Sequence, residues 1–454
     1  MIKSYQQALN YIKQLRPKTR QTKFPGALGL LRAKFLLKQL KNPQNNLKVI
    51  HVAGTSGKGS TTYFTSIALK SQGFKVGLTQ SPHLIDVRER IQINNHIISK
   101  VAFIKLLNQV IPAIETISQH KNGTLGMPTF FEVLIAMAFL YFYQNRLDYA
   151  VIETGLGGSY DGTNVVNRID KLVIITKIGL DHTHILGKTL TDIARQKCGI
   201  IYPGNPVVTC KQYPQVQKVI SATVKKKNSQ LFTVLPKKNY KFAGFSKNKK
   251  DITFNIKINQ FFLKNISIDI PALYQIENAA LAFTCINLVA KRDKFNINQT
   301  NLRKAFSNTN LPGRFTIKNF KNKTLILDGA HNPQKMSALV NSLQNLYPGE
   351  KFHILCAFKE NKAFPKILRL IPAVAKDIIF TKFTTYDQDL VHQSVNPSYL
   401  ADYLKKLGFF KYKVEPDFKK AFNKVLKHQD QQKILITGSL YLLSKIYPLF
   451  EKTK

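Results

Sequence analysis

The stretch NNLKVIHVAGTSGKGSTTYFTSIALKSQG, Asn45–Gly73, decides how the chain is read. A short apolar run breaks at Gly54, a glycine-rich turn follows, and the segment from Ser60 reads as a helix closed by Gly73. Strand, glycine loop and helix together aim backbone N–H groups at one point with a helix N-terminus behind them, which suits a phosphate. The loop is not the common one. A G-x-x-x-x-G-K-[ST] pattern asks for glycine at position 52 and a hydroxyl at 59, where Val52 and Gly59 stand. Gly54, Gly57 and Gly59 still allow close backbone approach. Lys58 can reach a terminal phosphate, and Ser60 and Thr61 carry hydroxyls in the first helical turn. A plain turn that happens to hold a lysine is the competing reading; the flanking strand and helix favour a phosphate loop.

Working outward, FKVGLTQSPHL gives a second strand, LDYAVIETGLGG a third ending at Glu153, and KLVIITKIGLDHTHILG a fourth expected to run to Asp181 and His182. These runs are apolar without alternation and are separated by helical patterns. That indicates a parallel sheet covered on both faces. Ligands gather beyond the carboxyl ends of such strands. Ser81, Glu153 and His182 would then share one sheet edge. Few protein oxygens plus phosphates and water suffice for magnesium, and these three residues could supply the set. Singly, each has a plainer reading as turn former, cap or loop histidine.

Other segments frame this sheet. Ile2–Leu15 and Leu28–Leu40 read as helices, the first ended by Pro17. RIQINNHIIS predicts a hairpin turning at Asn94 and Asn95. PTFFEVLIAMAFLYFYQNR predicts a buried helix, and Thr129 with Glu132 has capping-box spacing, so Glu132 is read as a cap before any catalytic role. From about Leu231 to Ile270 a period of two predicts a small antiparallel subdomain. NTNLPGRF, Asn308–Phe315, reads as a linker. The fold class expected is α/β. Residues 1–309 form a P-loop ATPase domain with a mainly parallel sheet, and 310–454 a Rossmann-like α/β domain.

Composition bounds the partners. Sixty-eight Lys and Arg against twenty-five Asp and Glu leave a formal charge of +43 over 454 residues. The cations are spread along the chain rather than clustered, which favours a solvated basic surface or attraction of an anionic small substrate over nucleic acid. The four cysteines form no C-x-x-C pair, which fits free thiols in a reducing compartment. The N-terminus lacks a continuous apolar segment, and the longest apolar run is too short for a bilayer. These features predict a soluble cytoplasmic protein with no membrane or nucleic-acid partner.

HVAGTSGKGST, SPHL with RERI, PTFFEVL, IETGLGG with DGTNVV, IGLDHTHILGKTLTDIARQKCGII, LPGRF, LDGAHNP and ITGSLYLL occur in the order and spacing of the folylpolyglutamate synthase and dihydrofolate synthase family. The chain resembles that family, itself related to Mur-type peptide ligases, from about residue 20 to 445. The resemblance implies an ATP- and Mg2+-dependent ligase that activates a folate carboxylate as an acyl phosphate and joins it to L-glutamate, working as a monomer. By matching motifs, Gly57, Lys58, Gly59, Ser60 and Thr61 would hold the triphosphate, while Ser81, Glu153 and His182 would ligate magnesium. Lys197 would be carbamylated and bind a second magnesium. Asn278, Arg314 and Asp328 would contact ATP, and His331 of the same motif joins Lys58 and Lys197 in the catalytic set. The chain departs from the family pattern at Ser159, Gly162 and Gln196, where arginine, alanine and glutamate are usual. A Mur-type ligase for a UDP-sugar peptide is the rival of the same class; only about fifty residues precede the loop, too few for a UDP-binding domain. A basic nucleic-acid-binding ATPase is the rival of another class, and it leaves the DGAHNP segment unexplained.

Overall fold

The computed structural model describes residues 1–16, 26–119, 125–258, 260–386, 390–430 and 433–451. Pro17, expected to end the first helix, lies outside them. The chain forms two compact units. The first takes Met1–Tyr240, Ile256–Phe262 and Glu277–Ala305; the second takes Lys241–Asn255, Leu263–Ile276 and Phe306–Lys454.

An eight-stranded sheet organises the first unit. Its strands are β1 (Lys48–Ala53), β2 (Val76–Thr79), β3 (Gln92–Ile93), β4 (His96–Ile97), β5 (Tyr149–Glu153), β6 (Leu172–Ile175), β7 (Val207–Cys210) and β8 (Leu231–Val234), in the order β4-β3-β2-β5-β1-β6-β7-β8. From β2 to β8 every pairing is parallel. Every residue of β2, β5, β6 and β7 is buried, as runs without alternation require in a sheet covered on both faces. Helices Tyr5–Gln14, Ala27–Gln39, Lys100–Gln119 and Phe130–Gln144 pack one apolar cluster against Val49, Ala150 and Ile152. Helices Leu190–Cys198 and Pro214–Lys226 pack another against Val173, Ile175 and Val207. The expected hairpin is present: β3 pairs antiparallel with β4, and Asn94 and Asn95 at its tip have φ of 52° and 62°. Positive φ at both central residues is what a tight two-residue hairpin requires.

Two expectations are corrected. The fourth strand stops at Ile175 rather than running to Asp181. Beyond it, ladder groups are taken by other partners: Lys177 O accepts from the N–H groups of Thr55 and Ser56, both at 3.0 Å, and Ile178 N–H donates to Gln212 Oε1 at 3.1 Å. The change of pattern also begins later than Leu231, because β8 is a parallel edge strand of the main sheet. Only Tyr240–Phe245, Ile252–Ile258 and Phe261–Ile268 make the separate three-stranded sheet, with Ile252–Ile258 in the middle. Its inward side chains Ile252, Phe254, Ile256 and Ile258 are buried at a period of two.

The second unit is built on six strands in the order Thr316–Phe320, Lys323–Leu327, Ile434–Thr437, Phe352–Cys356, Ala375–Phe380 and Tyr412–Val414. The first two pair antiparallel and the rest parallel. All four cysteines are free and buried.

Candidate active site

In the strand order β2-β5-β1-β6, four carboxyl ends lie side by side. Gly54 follows β1, Gln80 and Ser81 follow β2, Glu153 ends β5, and the loop after β6 leads to Asp181 and His182. The arrangement follows from the parallel pairing, in which each connection runs back over the sheet and every strand ends at the same edge.

The loop after β1 is held by its neighbours. Besides the two N–H groups bound to Lys177 O, the Thr55 hydroxyl donates to Gly179 O at 3.0 Å. Gly57 is the N-cap of helix Lys58–Lys70 at φ 90°. A Cβ there would collide with Asn278 Oδ1, so glycine answers both a positive φ and a close approach. Asn278, far away in sequence, is thereby brought against the loop. Gln80 Nε2 donates to Gly59 O at 2.6 Å and pins the first turn of the helix. Ser60 and Thr61 are buried, and the Thr61 hydroxyl has no partner among the described residues.

Charge gathers next to this loop. Lys58 Nζ is 4.0 Å from Glu153 Oε1, and Ser81 N–H donates to Glu153 Oε2 at 3.1 Å. Glu153 is buried, so its carboxylate lies in a low-dielectric setting where nearby cations act strongly. Lys197, near the end of helix Leu190–Cys198, donates from Nζ to Gly54 O at 2.8 Å. Burial first, then the Lys58 ammonium, pull its pKa down to about 7, while Asp181 and Asp161 oppose the shift. His182, at φ 51°, follows Asp181, whose carboxylate accepts the His182 N–H at 3.0 Å. The donor set is a carboxylate, a hydroxyl and an imidazole beside a lysine cation and a helix N-terminus. A carboxylate and a hydroxyl near a helix N-terminus are donors of the kind that magnesium takes when it is held with a nucleotide.

The backbone of Gly158 and Ser159 docks on the end of the Lys197 helix. A Cβ on Gly158 would collide with Gln196 O and the Lys197 main chain. Ser159 donates to Gln196 O from its N–H at 2.8 Å and from its hydroxyl at 3.1 Å, and Asn164 Nδ2 bridges Ser159 O and Gly199 O, each at 3.1 Å. The side chain at the Ser159 departure therefore fastens the segment that carries Lys197. Gly162 lies 3.5 Å from the Phe131 ring at the position of an added Cβ, an ordinary contact.

Beside Glu153 lies a pocket lined by Gln80, Ser81, Arg90, Phe131 and Leu134. Arg90 donates from Nε to His83 Nδ1 at 3.0 Å and lies over the Phe130 ring. Glu132 forms the expected capping box with Thr129 and also faces Arg32 Nε at 3.4 Å. Burial pushes its pKa up to about 7.

In the second unit, Asp328 follows strand Lys323–Leu327 and is buried. Its Oδ2 accepts from the Tyr274 hydroxyl at 2.6 Å and Phe315 N–H at 2.9 Å, and its Oδ1 from Ala330 N–H at 2.8 Å. Burial raises its pKa, against the lowering effect of these bonds and of the Arg314 charge. His331 bridges Gly329 O at 2.7 Å through Nδ1 and the Lys335 ammonium at 3.0 Å through Nε2. Arg314, Asp328 and His331 thus form one group at the carboxyl end of this sheet.

Sequence reasoning placed Gln80 and Asp181 at strand ends without giving them a role, and it missed Asp161 and Tyr274. Asp161 stood inside the DGTN string, and its bonds to Leu156 N–H at 2.7 Å and Thr163 N–H at 2.9 Å are those of an aspartate that closes a turn. Gln80 and Tyr274 carry no local signal; their partners are distant in sequence.

Comparison with known proteins places the chain. Residues 52–286 match the Mur ligase middle domain and residues 314–449 the dihydrofolate synthetase C-terminal domain. The chain is 31% identical to the dihydrofolate synthase/folylpolyglutamate synthase of Bacillus subtilis, covering 98% of this chain and 99% of that one. It is 30% identical to the folylpolyglutamate synthase of Lacticaseibacillus casei, covering 90% and 92%. A solved FPGS–AMPPCP–folate complex superposes with a TM-score of 0.82 at 26% identity, covering 98% and 99%.

Proposed function

The chain belongs to the folylpolyglutamate synthase and dihydrofolate synthase family, and from that premise we propose how its own residues carry out the reaction. The enzyme is an ATP-dependent ligase that adds L-glutamate to folate. A folate carboxylate oxygen attacks the γ-phosphorus of ATP and ADP leaves. The amine of glutamate then attacks the acyl carbon, loses a proton, and expels phosphate as the amide forms. A carboxylate is a poor electrophile until its oxygen becomes a leaving group, which is why phosphorylation comes first. Phosphoryl transfer itself demands positioning and charge stabilisation more than covalent chemistry.

The observation that carries this reading is the juxtaposition of Lys58, Glu153 and the Ser81 backbone at one sheet edge, with Lys197 on the carbonyl of Gly54. In our proposal Gly57, Gly59 and Ser60 hold phosphates at the helix N-terminus, with Thr61 in the same turn. Lys58 neutralises the γ-phosphoryl oxygens, and Asn278 keeps the loop in shape from behind Gly57. Ser81, Glu153 and His182 would hold Mg2+, and carbamylated Lys197 a second ion. Mg2+ supplies charge neutralisation of the transferring phosphoryl group. Within the second unit, Arg314 has the fork geometry that suits phosphate, with Asp328 and His331 beside it.

A second reading, ligation of glutamate to dihydropteroate by the same site, is favoured by the double name of the Bacillus subtilis relative. One assay tests both. Phosphate release is followed with ATP, Mg2+ and glutamate, using tetrahydrofolate, dihydropteroate or a UDP-muramyl peptide as acceptor. Release is expected with the folate, and release with dihydropteroate makes the enzyme bifunctional. Lys58→Ala should lower the rate by about 10²–10³-fold, the scale for removing one donor aimed at developing charge. An undiminished rate in that variant would overturn the role given to Lys58.

A further inference from the structure

The carboxyl edge of the second sheet carries Asp328; the opposite, amino edge carries a cluster that the ligase reaction does not use. His353 is the second residue of strand Phe352–Cys356, and in the parallel pairing it stands level with Asp377 of strand Ala375–Phe380. His428 and Asp430 approach from the turn after helix Phe418–Leu426. His353 is 1% exposed. Its Nδ1 lies 2.9 Å from both Asp377 oxygens, and its Nε2 lies 2.9 Å from Asp430 Oδ1. His428 Nε2 is 3.8 Å from Asp377 Oδ2.

We propose that His353 Nδ1, an Asp377 oxygen and His428 form a site for one divalent transition-metal ion of the zinc class, with Asp430 orienting His353 from behind. The three donor atoms lie within 4.8 Å of one another. Tetrahedral zinc with bonds of about 2.0–2.2 Å spaces its ligands at roughly 3.3–3.5 Å. The present gaps of 2.9 and 3.8 Å bracket that spacing. A carboxylate on the far nitrogen of a metal-bound imidazole fixes its tautomer and orientation. Asp430 occupies that place and is itself held by Lys376 Nζ at 2.6 Å. Two imidazoles in a set of three protein ligands suit zinc or cobalt, whereas magnesium takes mostly oxygen ligands. His428 now stacks on His353 with centroids 3.7 Å apart and planes 15° apart. Parallel rings cannot both aim lone pairs at one ion, so His428 turns on binding. Its side chain is 26% exposed, which leaves room for the turn. The fourth position would fall to water. An ion here would tie two adjacent strands to the turn before strand Ile434–Thr437 and so stabilise the unit.

The test uses the full chain stripped with EDTA, then loaded with excess Mg2+ and AMPPCP so that the nucleotide site does not compete for the probe. Zn2+ is titrated by equilibrium dialysis, Co2+ by visible absorption, and thermal melting is recorded with and without Zn2+. Wild type should bind one more Zn2+ than His428→Gln or Asp377→Asn, give strong tetrahedral Co2+ bands that both variants lack, and melt higher with Zn2+. Both variants should melt with the same cooperativity in EDTA, and their glutamate ligation in Mg2+ alone should match wild type. Equal Zn2+ stoichiometry in wild type and His428→Gln, with no Zn2+-dependent rise in melting temperature, would overturn the site.

Discussion

Lys197 is a buried cation a short distance from another cation, and the resulting pKa of about 7 sets its chemistry. Carbamylation needs the neutral amine, whose share falls as pH drops. With that pKa, roughly nine amines in ten are neutral at pH 8 and roughly one in ten at pH 6. If Lys197 works as a carbamate, bicarbonate should raise the initial rate at pH 6 and barely change it at pH 8. Lys197→Arg should lose both the rate and the response. Initial rates in CO2-depleted buffer check this; a rate at pH 6 indifferent to bicarbonate would make Lys197 a plain cation. At this scale the sequence was informative where chemistry is written locally. The residues from Gly54 to Thr61 could be read because a strand, a loop and a helix flank one another in the chain. Tyr274 and Asp328, or His353 and His428, could not, because each pair is brought together only by folding.

Helix Phe130–Gln144 is apolar on nearly every side, and Phe139 within it is 1% exposed. A helix without a polar face is buried all round, and this one meets three other helices and the sheet. Phe139→Ala should cost about 3–5 kcal/mol, the range for deleting a buried phenyl ring. A lower urea midpoint with an unchanged slope would record it, and an unmoved midpoint would mean that the ring contributes nothing to the stability of this core. Elements of this kind were legible from pattern alone: the helix, the hairpin at Asn94 and Asn95, and the apolar strands. Strand ends were not. The strand at Leu172 stops at Ile175, and, two residues on, the Lys177 carbonyl is claimed by Thr55 and Ser56, far earlier in the chain. The edge strand Leu231–Val234 was assigned to the wrong sheet, since four residues carry too little periodicity to name a partner.

Across the whole molecule, the formal charge of +43 surrounds every anionic ligand with a positive field. Such a field is screened over about 8 Å at physiological ionic strength. Each added glutamate brings a further carboxylate, so the attraction should grow with substrate length. We expect kcat/KM to fall with added NaCl, and to fall more steeply for long polyglutamyl folates than for the monoglutamate. Parallel salt slopes for the two substrates would leave the charge without a part in substrate capture. Among the described residues, no helix is long and apolar enough to cross a membrane. The fold class was readable at this scale because parallel strands with helical crossovers leave a repeated apolar signature. The charge was equally visible, but its meaning was not, because composition does not say which anion it meets.

The bonds from Thr55 and Ser56 to the carbonyl of Lys177 carry one more consequence. The nucleotide loop is no portable cassette. Grafted alone onto a different sheet, Gly54–Thr61 would leave behind the neighbouring carbonyl that gives it shape, along with Asn278 and Gln80. Transplanting its chemistry would mean moving the adjacent strand exit as well.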